Sequence, residues 1–318
     1  MYALMDEIRE STVDMRTVFC NVLLSLAREN KDICLLDADL MGAMGTKPFL
    51  KEFPERTFDC GIQEANMFGV AAGLSVTGKI PFAHTFAVFA SRRALDQIYL
   101  SCAYAGQNVK IIGSDCGIHA ALNGGTHMAI DDMGIFRAVP EMTVIEPTDN
   151  AMLEALLPQV AAVYGCFYLR LVRRTTPDVY MPGSEFTIGK ANILKEGEAA
   201  TIIANGYCVS QALLAEKRLK AEGISVGVID CFTLKPLDER AIIQAAQKTG
   251  NIITVENHNT KNGLGSAVAE VLCEHSPARL SRLGFIDRFG EVGKRDELAG
   301  AMGINADAIY SAVKKSLE

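Results

Sequence analysis

Several features that would point directly to a function are missing from this chain. Its nine cysteines are scattered and none forms a C-x-x-C pair, which argues against a disulfide framework and a zinc site and indicates a reducing compartment. No run of five or more basic residues occurs and the formal net charge is −7, which argues against nucleic-acid binding. The N-terminus is acidic, and no uninterrupted apolar stretch reaches the length of about 18 residues that a membrane span needs. We therefore expect no membrane partner and a cytoplasmic protein.

The size and the pattern of the chain predict two α/β domains. At roughly 150 residues per domain, 318 residues suggest two. Short apolar runs alternate with helical segments in both halves, which predicts mostly parallel sheets flanked by helices. Residues 175–184 contain Pro177, Pro182 and Gly183 without periodicity, so we expect a linker there.

Two local helix predictions accompany this division. Thr148 is expected to cap a helix that runs to Ala162. A further helix is expected over residues 93–105, closed by Gly106.

Polar residues follow the ends of several predicted strands. Asp39, the segment 84–89 and the loop 114–127 all stand there, where α/β sheets gather their ligands. Glu64 opens a predicted helix of small and apolar residues. A carboxylate at that position either complements the helix dipole or is an acid held for chemistry.

Six ordered sequence blocks resemble the transketolase family of thiamine-diphosphate enzymes. The blocks are GIQEANMFGVAAGLS, HTFAVFASRRALDQI, NGGTHMAIDDMGIFRAVPEMTVIEPTD, YLRLVRR, TVENHNTKNGLGSAVAE and IDRFGEVGKRDEL. The resemblance covers nearly the whole chain and is to the second half of a transketolase. It implies a pyrimidine-binding domain over residues 1–176 and a transketolase C-terminal domain over 187–318. The activity it implies is transfer of a two-carbon ketol unit from a ketose phosphate to an aldose.

The resemblance also implies which residues hold the cofactor. Glu64 would bind the far ring nitrogen of the aminopyrimidine, so that the exocyclic nitrogen can act as an internal base. Phe89 would be the stacking platform for that ring, with Phe86 nearby, and Asp39 would lie near the cofactor. The alternatives are core positions for the two phenylalanines and a turn position for Asp39.

A second group of residues is implied at the substrate. His127, in Gly-Gly-Thr-His, would transfer protons on substrate hydroxyls because the pKa of histidine lies near neutrality. Arg173, and Arg16 by a thinner match, would hold the sugar phosphate. Asn123 stands where the family has an aspartate that reads a donor hydroxyl. His84 is a further substrate candidate, with an ordinary surface or core position as its alternative.

The chain departs from the family pattern near this substrate site. Asp115 stands where the family often carries a histidine, and residues 41–44 lack the serine that commonly contacts phosphate. These departures, with Asn123, indicate a specialised transketolase. The roles of His119 and His258 stay open, although His258 is expected to be structural.

The diphosphate-binding half of a transketolase is missing from this sequence. Magnesium prefers oxygen ligands, but no Gly-Asp-Gly motif occurs, so the loop that would supply them in the family is missing. We therefore expect a separate N-terminal transketolase section to carry the diphosphate and the magnesium. The simplest assembly is two-plus-two, with a homodimeric contact through this chain.

Three alternative functions remain open at this stage. They are the beta chain of a 2-oxo-acid dehydrogenase, a half resembling 1-deoxyxylulose-phosphate synthase, and a non-catalytic regulatory subunit. The Gly-Gly-Thr-His loop and residues 128–139 favour transketolase over the dehydrogenase beta chain. Retention of Glu64, Phe89 and His127 together argues against the last.

Overall fold

The computed structural model describes all 318 residues, and its strands divide between the two halves of the chain. The strands of the first half are β1 Leu4–Glu10, β2 Ile33–Asp37, β3 Thr57–Asp59, β4 Ile80–Phe86, β5 Lys110–Ser114, β6 Thr143–Ile145, β7 Phe167–Arg170 and β8 Pro177–Tyr180. Those of the second half are β9 Asn192–Lys195, β10 Ala200–Ala204, β11 Val226–Asp230, β12 Thr233–Lys235, β13 Asn251–Asn259 and β14 Arg279–Phe285.

Helices cover both sheets. The α-helices are α1 Met15–Glu29, α2 Met41–Met44, α3 Lys47–Glu52, α4 Glu64–Val76, α5 Ala87–Arg92, α6 Leu95–Gln97, α7 Asp132–Arg137, α8 Asn150–Ala162, α9 Tyr207–Ala221, α10 Glu239–Thr249, α11 Leu264–His275, α12 Arg295–Ala301 and α13 Ala306–Ser316. Short 3₁₀ segments span Pro54–Arg56 and Gly117–Asn123, and a π-helix spans Ile98–Tyr104. None of these helices is long and apolar enough to cross a lipid bilayer.

Two large sheets carry the fold. The first has seven strands in the order β12-β6-β7-β5-β4-β2-β3, all parallel except β12. The second has five strands in the order β14-β13-β10-β11-β9, and only β9 is antiparallel. Strands β2, β5 and β7 are buried along their whole length, as a sheet covered on both faces requires. The predicted fold class is confirmed.

A strand from the second half of the chain joins the sheet of the first half. Strand β12 belongs to the second half by sequence, yet it pairs with β6 at the edge of the first sheet. The guanidinium of Arg170 also crosses between the halves: its Nη2 donates to the carbonyl of Asn257 at 2.9 Å, and its Nε contacts Asp132 at 2.7 Å. These contacts fix the second half against the edge of the first sheet.

Three local predictions were wrong or incomplete. Helix α8 begins at Asn150 with Asp149 as its cap, whose carboxylate accepts from the Met152 amide at 2.9 Å. The Thr148 hydroxyl instead donates to Asp230 at 2.7 Å. The expected linker contains β8, which pairs antiparallel with β1. The helix expected over 93–105 begins only at Leu95, because Ala94 leaves helical geometry at φ −117°, ψ 9°. It continues as the π-helix to Tyr104, and Gly106 follows with φ +63°, as a closing glycine requires.

Candidate functional site

The expected site residues gather at the carboxyl edge of the first sheet. In the parallel register Asp37 lies opposite both His84 and Asp59, and Phe86 lies opposite Ser114. Because these strands run in one direction, the segments that follow them emerge at the same edge. The segments that follow β2, β4 and β5 therefore lie at one edge of the sheet, where the site residues were expected.

Glu64 is the first residue of α4, and its side chain turns into the protein. The residue is 1% exposed. Nη1 of Arg93 donates to both of its carboxylate oxygens at 2.8 Å. The Thr85 hydroxyl lies 3.5 Å from one of them, at the limit of a hydrogen bond. A carboxylate removed from water needs such partners, so Arg93 is its main stabilising contact here.

Arg93 makes a second contact that its sequence position did not reveal. Its guanidinium carbon lies 4.1 Å from the centre of the Phe89 ring, within cation–π range. Arg93 directly follows α5, four residues after Phe89, which brings the two side chains to the same face. The pair Arg92-Arg93 beside the aromatic motif was the available signal in the sequence, and no role was expected for it.

Phe86, Phe89 and His127 form an aromatic cluster beside Glu64. The rings of Phe86 and Phe89 are stacked at 6.0 Å with an interplanar angle of 26°. The His127 ring meets both edge-on, at 6.1 Å from Phe86 and 5.4 Å from Phe89. Its Nδ1 lies 2.9 Å from the Thr126 hydroxyl. The loop 117–127 therefore brings His127 onto the expected stacking platform.

This arrangement fits the aminopyrimidine ring of thiamine diphosphate. A guanidinium is a flat cation whose N–H groups donate to carboxylates and whose face stacks on aromatic rings. Arg93 makes both contacts at once, to Glu64 and to Phe89. Glu64 and Phe89 thus offer one planar donor group a hydrogen-bond acceptor and a stacking face. An aminopyrimidine ring needs both of these features.

The two arginines expected at the substrate lie next to each other. The Arg16 amide donates to the Arg173 carbonyl at 3.4 Å, which joins the start of α1 to the segment after β7. Nε of Arg173 lies 2.6 Å from Asp115 Oδ2. Nε of Arg16 donates to Asp14 at 3.0 Å, and its Nη1 donates to the Ala43 carbonyl at 2.9 Å.

Asp115 is held in an unusual conformation at the end of β5. Its φ of +58° lies in the left-handed region, which is uncommon for residues other than glycine, although aspartate and asparagine adopt it more often than most. The residue is 1% exposed, and its Oδ1 has no hydrogen-bond partner. Burial raises the pKa of its carboxyl group, while the charge of Arg173 opposes that rise. Asp115 was noted as a departure from the family, but its pairing with Arg173 was not foreseen.

The remaining candidates lie in different surroundings. His84 is fully buried, with Nδ1 2.8 Å from Asp37 and Nε2 3.0 Å from the Ser114 hydroxyl. This enclosure favours a structural role, and a substrate contact for His84 stays a prediction. Asp39 lines an open surface cleft, and Asn123 is exposed at the end of a 3₁₀ turn. The structure does not bring these two into the aromatic cluster.

His119 and His258 are buried near the boundary between the halves. Burial lowers the pKa of His119 to about 3, and its ring meets Tyr207 edge-on at 5.5 Å. The Gly134 amide donates to Nε2 of His258 at 3.3 Å. These surroundings agree with the expected structural role of His258 and favour a structural role for His119.

A buried contact from the second half supports the loop that carries His127. The Ile118 amide donates to the Asn257 side chain at 2.9 Å. Gly117 has a φ of +50°, and a Cβ there would lie 2.0 Å from Asn257 Oδ1. Only a residue without a side chain fits that space, so Gly117 and Asn257 together position the start of the loop. No local motif indicates this support, because the two residues are distant in the chain.

Comparison with known proteins identifies the class to which this fold and site belong. Residues 11–178 match the family described as transketolase, pyrimidine binding domain, and residues 189–309 match transketolase, C-terminal domain. The 6-deoxy-6-sulfo-D-fructose transketolase subunit of Clostridium sp. (strain MSTE9) is 48% identical over 304 residues, which is 96% of this chain and 94% of the relative. A putative transketolase C-terminal section from Methanocaldococcus jannaschii is 40% identical over 307 residues, with 96% of both chains covered.

A solved structure agrees with these sequence relatives. It is described as a split gene transketolase, inactive beta4 tetramer, and it superposes with a TM-score of 0.89 at 42% identity. The match covers 96% of this chain and 98% of that one. The chain belongs to the transketolase family. More narrowly, it is a subunit of the split-transketolase type, as the resemblance implied.

Proposed function

We propose that this chain supplies the aminopyrimidine site of a two-chain, thiamine-diphosphate-dependent transketolase. The single observation that carries the proposal is the Glu64–Arg93–Phe89 arrangement, in which a flat donor group already contacts the carboxylate and the ring. The family assignment supports the same cofactor. When bound, thiamine diphosphate supplies the carbon nucleophile for breaking and forming the carbon–carbon bond.

The residues of this chain have separable tasks in that reaction. Glu64 presents a buried carboxyl group to the ring nitrogen, where low polarity strengthens the hydrogen bond. Phe89 fixes the plane of the ring, and Phe86 stacks against Phe89. His127, held against both rings, accepts and returns a proton at a substrate hydroxyl.

A partner chain is part of the proposal. It would be the N-terminal transketolase section, and it would bind the diphosphate through Mg²⁺, in an assembly of two copies of each chain. The relative described as a C-terminal section and the structure described as an inactive tetramer of beta chains support this division. A cytoplasmic location remains a prediction.

Two classes of donor fit the distal end of the site. A ketose phosphate is the donor that the family resemblance implies, with Arg173 and Arg16 as its anion contacts. A sulfonated ketose is the second candidate. It is favoured by the pairing of Arg173 with Asp115 and by the relative described as a sulfofructose transketolase subunit. The acceptor in both cases is an aldose.

Reconstitution tests the proposed function. The purified chain is titrated with thiamine diphosphate and Mg²⁺ by calorimetry, alone and with the co-expressed N-terminal section. We expect tight binding and ketol transfer only from the pair, followed as aldehyde release from a panel of ketoses. Tight cofactor binding by the chain alone would contradict the two-chain site. Lipoyl-domain reductive acylation by the pair, without ketol transfer, would favour the dehydrogenase alternative.

A further inference from the structure

Both arginines at the expected anion site already carry a carboxylate partner from this chain. Arg173 pairs with Asp115 at 2.6 Å, and Arg16 pairs with Asp14 at 2.8 Å. The Arg16 amide donates to the Arg173 carbonyl, so the backbones that carry the two pairs are in contact. The four side chains carry no net charge, so this part of the site lacks the excess positive charge that a phosphate dianion requires for strong binding.

The two pairs differ in how strongly water screens them. The side chains of Arg173 and Asp115 are 17% and 1% exposed, whereas those of Arg16 and Asp14 are 26% and 25% exposed. Charges act over a longer range where water is excluded. Asp115 is therefore the carboxylate that most affects an anion bound at Arg173.

The contact with Asp115 uses only one of the three guanidinium nitrogens of Arg173. Asp115 faces Nε, on one edge of the guanidinium, and the chain makes no hydrogen bond to the two terminal nitrogens. A guanidinium can bind oxyanions in a bidentate manner through those nitrogens. An anion bound there would lie near Asp115 and would be repelled in proportion to its own charge.

We propose that Asp115 is a specificity-determining residue that directs the donor site to ketoses with a monoanionic distal group, such as a sulfonate, in preference to a phosphate dianion. Asp115 acts through its negative charge, held beside Arg173, and does not need to touch the substrate. The inference rests on the proposed function, because it assumes that a ketose binds with its distal end at Arg173. The repulsion from Asp115 acts on both negative charges of a phosphate, and we expect it to cost the phosphate donor roughly tenfold more in affinity than the sulfonate donor.

The test is the variant Asp115→Asn in the assembled enzyme with its partner and cofactor. Asparagine adopts the left-handed conformation readily and keeps an oxygen for Arg173, so the fold should be retained. The measured quantity is the ratio of kcat/KM for 6-deoxy-6-sulfofructose to that for fructose 6-phosphate. We expect a ratio above one in the unchanged enzyme, and a shift of about tenfold toward the phosphate in the variant.

Asp14→Asn is the matched control, because it makes the same chemical change at the more exposed pair. Its ratio should shift by less than about threefold, as solvent screens that carboxylate. A general loss of structure would lower kcat/KM for both donors together and leave the ratio unchanged. The ratio therefore separates an effect on charge selection from a purely structural role of Asp115.

A binding measurement distinguishes failure of this inference from failure of the proposed function. Calorimetric Kd values for the two donors are compared in assembled Glu64→Gln enzyme, with and without Asp115→Asn. A shift in the Kd ratio toward phosphate supports the role of Asp115 even if no donor is turned over, in which case only the proposed reaction fails. A preference of the unchanged enzyme for the phosphate donor, or a ratio unaffected by Asp115→Asn, would overturn the inference.

Discussion

Arg93 donates through one nitrogen to both carboxylate oxygens of Glu64, at 2.8 Å each, while its guanidinium lies over Phe89. These are the contacts proposed for the aminopyrimidine ring. The ring and the guanidinium cannot both stack on the same face of Phe89. Cofactor binding at this face therefore requires Arg93 to leave the carboxylate, and its side chain, 46% exposed, has solvent on one side into which it can move.

The variant Arg93→Gln should bind thiamine diphosphate more tightly in the assembled enzyme. The expected decrease in Kd is about three- to tenfold, because a partly exposed ion pair and a cation–π contact no longer compete with the ring. Calorimetric titration of the complex measures it. Arg92→Gln is the control, since Arg92 lies 3.8 Å from Asp131 and contacts neither Glu64 nor Phe89 in this structure. Weaker cofactor binding by Arg93→Gln would show instead that Arg93 assists the ring.

The same variant should destabilise the chain when no cofactor is present. Without Arg93, the buried Glu64 carboxylate keeps only the distant Thr85 hydroxyl, and an unpaired buried charge is costly. We expect a lower Tm for the isolated Arg93→Gln chain than for Arg92→Gln in a thermal melt. Equal melting temperatures would indicate that water replaces Arg93 at no cost.

Replacing His127 should affect turnover more than cofactor binding. His127→Gln keeps a polar side chain against Phe86 and Phe89 but cannot exchange a proton near neutral pH. We expect kcat to fall by about 10²-fold or more, as for loss of a general acid–base group, with little change in the Kd of thiamine diphosphate. His275→Gln, a substitution of an exposed histidine near the end of α11, is the control. Unchanged kcat in His127→Gln would remove His127 from the proposed proton transfers.

The support of the 117–127 loop by the second half can be tested through Gly117→Ala. The added methyl group meets a positive φ and would lie 2.0 Å from Asn257 Oδ1. Gly78→Ala is the control, because it has a positive φ but no atom within 4 Å of the added methyl group. Urea unfolding should show a loss of about 1–3 kcal/mol for the strain in either variant, and a further loss for Gly117→Ala. Equal losses of unfolding free energy in the two variants would mean that the loop adjusts to the methyl group without disturbing Asn257.

The sequence predicted those parts of the fold that depend on local patterns. The alternation of apolar runs and helical segments predicted the two sheets, and strand β4 shows why: its apolar run is bounded by turn residues and followed directly by a helix. Strands β1 and β8 were missed, since each is stabilised by the other from a distant part of the chain. Strand β12 was missed for the same reason, as its partner β6 belongs to the other half.

The candidate site shows the same limit. Family motifs indicated Glu64, Phe89 and His127, and the structure brings these three together. The contacts that change the chemistry of the site join residues far apart in sequence, as Arg93 joins Glu64 and Asp115 joins Arg173. No periodicity or local motif encodes such pairs, so they become visible only when the strand ends are placed side by side.

Turnover of the assembled enzyme carrying Glu64→Gln tests the proposed cofactor site most directly. Glutamine fills the same space and can still form a hydrogen bond, so assembly and folding should be near normal. It cannot supply the carboxyl group, and ketol transfer should fall by at least about 10²-fold. Glu55→Gln, at an exposed glutamate beside Arg56, should leave turnover unchanged. Full ketol transfer by the Glu64→Gln enzyme would contradict the proposed role of Glu64 and, with it, the proposed cofactor site.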